Sequence, residues 1–102
     1  MKGSISGFLL FAAVAVASAD QFQIKERTGG DAYNVSYAEI RIPNVSPPFR
    51  GTTDGYGRIT VNLQPGQYTA EVYAGTQMKG RVSLTVDNPD VLETVYLEAL
   101  VH

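Results

Sequence analysis

From Phe22 onward, apolar and polar side chains alternate with a period of two. Phe22 and Ile24 are set against Gln23 and Lys25, Ala38, Ile40 and Ile42 against Glu39 and Arg41, and Ile59, Val61 and Leu63 against Thr60 and Asn62. The rhythm returns in Tyr68, Ala70 and Val72, then in Val82, Leu84 and Val86, and last in Val95, Leu97 and Ala99. Successive side chains of a strand point to opposite faces, so each run predicts a strand with one apolar face. A shorter segment, Phe49 to Thr53, is a seventh candidate. No stretch repeats apolar residues at the three-and-four spacing of a helix.

The punctuation falls between the runs: Gly29-Gly30-Asp31, Pro47-Pro48, Asp54-Gly55-Tyr56-Gly57, Pro65-Gly66, Gly75 and Asn88-Pro89-Asp90. Such residues reverse a chain, and Asp-Gly between two alternating runs is a short-range hairpin signal. Strands with one apolar face each must bury those faces against one another. The expectation is an all-β, about seven-stranded antiparallel β-sandwich, preceded by a signal peptide.

The leader reads from the first residues. Lys2 supplies a positive charge, Phe8 to Val16 form a short apolar run, and Ala17-Ser18-Ala19 place small side chains where a signal peptidase inspects its substrate. The apolar run falls well short of the roughly 20 residues that span a bilayer. Residues 1–19 are therefore expected to be a cleaved leader and residues 20–102 one domain, exported to a periplasmic or extracellular space. No membrane span is expected in the mature chain. With 0 cysteines, neither disulfides nor an acylated thiol can stabilise or tether it. The formal net charge is −2 and the cations are scattered, whereas nucleic-acid binding needs a basic stripe. That partner class is set aside.

The stretch Phe49 to Val86 has a Thr-Asp-x-x-Gly turn (Thr53, Asp54, Gly57), an alternating strand (Ile59 to Leu63), a Pro-Gly-x-Tyr turn (Pro65, Gly66, Tyr68) and a valine-rich strand. In these features, and in Tyr37 to Ile42, the chain resembles the carboxypeptidase regulatory-like domains, which are transthyretin-like (prealbumin-like) seven-stranded sandwiches. The resemblance implies a fold and leaves function open. Within that fold, hydroxyisourate hydrolases use several histidines, and this chain has one, His102. Cna-B-type domains form an isopeptide bond through a glutamate four residues after the turn tyrosine, and that position is Val72 here.

Other candidate chemistry is thin. Asp31, Asp54, Asp87 and Asp90 sit in turns, where aspartate commonly caps backbone amides, and they lack the spacing of a calcium loop. Ser36, Ser46 and Ser83 have no neighbouring base. No catalytic residue, cofactor or metal site is assigned. Asn34-Val35-Ser36 is a glycosylation sequon. If Ala38, Val72 and Val95 face inward, then Tyr37, Tyr73 and Tyr96 face outward and form a candidate binding patch. The expected role is a non-catalytic secreted or envelope module, binding or structural, that acts through protein–protein contacts or self-association. The alternative is a sandwich that binds carbohydrate or a small aromatic molecule.

Overall fold

A computed structural model describes residues 18–99. The apolar leader core and His102 lie outside the described residues. Among the described residues nine strands follow one another: β1 (Ser18–Thr28), β2 (Asp31–Asn34), β3 (Glu39–Ile42), β4 (Phe49–Thr52), β5 (Arg58–Leu63), β6 (Gly66–Ala74), β7 (Gln77–Val86), β8 (Leu92–Tyr96) and β9 (Glu98–Ala99). They form two sheets, an all-β sandwich. Among the described residues no helix is long and apolar enough to cross a membrane.

The first sheet is built around β1. Along one edge β1 pairs antiparallel with β5 through Ser18–Gln23 and with β2 through Lys25–Thr28. Ile24 joins the two partners, since its N–H donates to the Gly57 carbonyl and its carbonyl accepts from the Val35 N–H. Both groups of one strand residue point to the same side, so β5 and β2 share that edge. On the other edge β8 runs parallel to β1, which departs from the all-antiparallel pairing expected. The second sheet runs β4-β3-β6-β7-β9, and every pair in it is antiparallel.

The period-two reading locates the interior. Phe22, Ile24, Ile59 and Val61 from the first sheet meet Ile40, Ile42, Ala70, Val72, Val82, Leu84 and Val86 from the second, all buried. Full burial of such a side chain contributes roughly 1.5–3 kcal/mol, and alternation delivers it from every long strand.

Three departures from the sequence reading have physical reasons. Strand β2 lacks alternation because all four of its residues are exposed, so it forms part of a ribbon whose faces both meet solvent. Asp54-Gly55 does not close a hairpin, since β4 and β5 belong to different sheets. The turn carries the chain across the sandwich, and its left-handed residue is Gly57 (φ 78°), where a Cβ would lie 2.7 Å from the Ile24 carbonyl oxygen. The last run divides: β8 lies in the first sheet and β9 in the second.

That division closes one seam. Leu97 donates its N–H to the Lys25 carbonyl at 2.7 Å, and the chain then crosses to pair with Gly80 and Arg81 of β7. Nearby, β7 carries a bulge opposite Val72/Tyr73 that leaves Lys79 out of register. Its ammonium reaches Glu26 Oε1 of the opposite sheet at 3.2 Å.

Candidate functional site

The structure does not bring the three expected tyrosines together. Tyr73 lies on β6, on the outer face of the second sheet, with the Arg41 guanidinium 4.0 Å from its ring centroid and its hydroxyl donating to Glu71 Oε1. Tyr96 lies on β8, on the outer face of the first sheet, under the Arg27 guanidinium at 3.9 Å. Opposite sheets turn these rings to opposite sides of the sandwich. Tyr37 is on no strand. It occupies the β2–β3 turn with φ 55° and is 76% exposed. A patch made of all three is therefore not formed. Two of them instead act as platforms for arginines, a cross-strand use that suits a half-solvated sheet face.

At Tyr37 two loops lock together. Thr53, 1% exposed, donates its hydroxyl to the Val35 carbonyl and accepts the Ala38 N–H. One side chain thus satisfies both backbone groups of the β2–β3 loop. Ser36 donates to the Gly55 carbonyl at 2.7 Å, and the Tyr37 N–H reaches the Asp54 carbonyl. The Asp54 carboxylate accepts the amides of Tyr56 and Arg58. Those bonds, first that from Arg58, hold its carboxyl below the usual aspartate range. Gly55 faces the Tyr37 ring, and a Cβ there would lie 2.8 Å from the hydroxyl. A bulky residue at positive φ is uncommon, and persists where its surroundings over-determine it. Tyr37 and Tyr56, both well exposed, flank Gly55 on this rigid base.

Beside these loops lies the second seam of the sandwich. β4 is the last strand of its sheet and β5 lies at the edge of the other. Between them runs a groove of about 520 Å³ whose exposed lining is mostly polar, with Phe49, Gly51 and Ile59 at its inward-facing positions and Gln21, Arg50, Thr52, Asp54, Arg58 and Thr60 around them. Gly51 keeps the floor open, since a Cβ there would stand 3.0 Å from Ile59 Cδ1 and 3.1 Å from Phe49 Cζ. Arg50 is held by a two-point contact to Glu39 Oε2 (2.6 and 2.8 Å), while Arg41 takes Oε1. The bonds from Arg41, then those from Arg50, lower the Glu39 pKa. One carboxylate therefore serves two guanidiniums.

No family model matches the chain, and no curated sequence matches it significantly.

The groove had a partial sequence signal. Phe49 and Ile59 were legible as strand residues, but their meeting across two sheets was not, because Asp54-Gly55 reads as a hairpin. Thr53 stood out in the sequence as the first residue of the Thr-Asp-x-x-Gly turn, but nothing there marked it as a buried staple.

Proposed function

We propose that the chain is an exported, non-catalytic module that acts through protein–protein contact, and that the contact is made at the β4/β5 seam. The observation that carries this reading is the groove itself. Two strand edges that pair with no other described strand flank it, and an extended strand can add to such an edge through main-chain hydrogen bonds. Neither edge strand turns a charged side chain inward, a common device for blocking such addition. The leader motif supports export, and the turn residues Thr53, Asp54, Gly57, Pro65, Gly66 and Tyr68 support a carboxypeptidase regulatory-like, transthyretin-like domain.

A second reading is favoured by the Tyr37–Gly55–Tyr56 surface. Rigid, exposed, amphipathic rings bind with little ordering loss, which suits a carbohydrate or small aromatic ligand. Tyrosine fluorescence on titration with oligosaccharides separates the two, and a response abolished by Tyr37→Ala would favour the second.

Hydrogen exchange tests the first. As concentration rises or a partner is added, amides in 49–52 and 58–63 should become protected. Thr52→Lys combined with Thr60→Lys, which places like charges across the groove, should weaken association about tenfold or more. A chain that stays monomeric by light scattering, and that captures no protein protecting those amides, would remove the seam from consideration.

A further inference from the structure

We propose that the Ala19–Asp20 bond is a processing site that the folded domain conceals, and that Asp20 then anchors the new N-terminus. The proposal rests on the exported reading above. The small residues Ala17 and Ala19 mark the bond in the sequence. In the fold it lies inside β1, where Ser18, Ala19 and Asp20 pair with Leu63, Asn62 and Val61. On the other edge β8 begins at the next residue, Gln21. A peptidase takes its substrate as a free extended segment, and this segment is already claimed by a sheet.

Asp20 adds a second lock. The parity of Phe22 and Ile24 turns residue 20 inward, and it is 2% exposed. A carboxylate in that position requires hydrogen-bond partners. Its Oδ2 accepts the amides of Asp87 and Asn88, each at 2.8 Å, so the residue just past the bond ties β1 to the loop leaving β7. Exposing the bond would mean breaking those contacts as well as the β5 pairing.

The order of events follows. Hydrolysis adds one water across the amide, leaving a carboxylate on Ala19, which departs with the leader, and an ammonium on Asp20. It takes place on the unfolded chain, before β1 enters its sheet. The mature strand has lost the pairings of Ser18 and Ala19, and its first residue is held by its own side chain. The last two residues of β5 lose their partners on that edge, while the Asp87 and Asn88 amides keep theirs.

The test presents leader-bearing chain to a purified leader peptidase, folded in one arm and diluted from urea in the other, with the cut located by intact mass. Opening of a paired strand is rare, so the folded chain should be cut at least about a hundredfold more slowly. Val61→Ala loosens the strand facing Asp20 without touching the recognised residues, and should restore part of the folded-state cutting. Equal rates in the two arms would overturn the concealment. No cut after Ala19 in either arm would overturn the leader reading beneath it, a distinguishable result. In exported protein, hydrogen exchange should show the Leu63 amide, which faces Ser18, faster than in the leader-bearing form and the 87–88 amides still protected. Asp20→Ala should abolish the second protection, and an unchanged 87–88 exchange would remove the anchor.

Discussion

Along one seam of the sandwich the chain supplies its own closure, and along the other two edge strands face each other across a groove. The closed seam is anchored on backbone groups, with one buried carboxylate among their partners. Leu97 hands the chain from β8 to β9, Glu98 and Ala99 pair with β7, and Asp20 ties β1 to the loop that follows β7. The open seam uses side chains, with Phe49 and Ile59 meeting over Gly51 and arginines at the rim. Backbone contacts are dense and fixed, whereas the ends of side chains can turn aside. The contrast separates a seam closed by strand pairing from one whose two edge strands pair with no other described strand across it.

The strongest way to break this comparison is Gly80→Ala. A Cβ at residue 80 would collide with the Glu98 carbonyl oxygen, and a backbone atom has no rotamer by which to withdraw. Overpacking of that kind costs typically 1–3 kcal/mol, and we expect about 3 kcal/mol here by chemical denaturation. Exchange of the Glu98 and Ala99 amides should rise first. A stability change near zero would mean that β9 contributes nothing to the closure.

Thr53→Val probes the joint beside the open seam. The substitution keeps the volume and deletes a hydroxyl that both donates and accepts. It leaves the Val35 carbonyl and the Ala38 N–H, at a buried site, without that partner. An unsatisfied buried group costs roughly 1–3 kcal/mol, and we expect about 2 kcal/mol. The readout is the denaturation midpoint together with the Tyr37 resonances, which should lose their distinct shifts as its left-handed backbone relaxes. Retained shifts would place the constraint elsewhere.

Much of the fold was legible because burial and alternation coincide: Ile40 and Ile42, Val72, and Val82 to Val86 each alternate in sequence and lie buried in the structure. What escaped has a common cause. A ribbon exposed on both faces, as in β2, imposes no period on its residues. A strand that changes sheets at Leu97 keeps its period while changing partners. Asp54-Gly55 carries hairpin chemistry, yet the partner it delivers lies in the other sheet, which local sequence does not encode. Asp20 was hidden differently. Its parity with Phe22 marks it as inward, but its place beside Ala19 invites reading it as the first residue of a loose end. The tyrosines failed as a set because outward alternation says which face of a strand a ring takes, and not which sheet owns the strand.

Acid sharpens the contrast at smaller amplitude. Asp54 lines the open seam and Glu39 holds its rim arginine Arg50, and both carboxylates have pKa values lowered by their donors. A carboxylate whose folded pKa is depressed contributes stability that is complete above its unfolded pKa and disappears as pH falls through the folded one. With ordinary values of 3.8 and 4.5, the loss belongs below those values, and none is expected from these groups near neutrality. The Tyr56 and Arg58 amides, which Asp54 accepts, should move in the acid limb of an NMR titration. Asp54→Asn should flatten their response. Amides that titrate near neutral pH instead would contradict the assignment.

The smallest effect is expected from the same chemical change as the largest. Gly51→Ala, like Gly80→Ala, adds one methyl group to a strand glycine at a seam. Its nearest neighbours are Ile59 Cδ1 and Phe49 Cζ, at 3.0 and 3.1 Å, and both are side-chain ends able to shift by a few tenths of an ångström. Overpacking relieved by rotamer adjustment should cost less than about 1 kcal/mol, against about 3 kcal/mol at residue 80. The methyl should nevertheless fill part of the groove floor, so that stability is retained while protection of 49–52 and 58–63 on association declines. A variant that loses both stability and association would show that the groove is a packed joint. One that loses neither would show that whatever occupies the seam does not reach its floor.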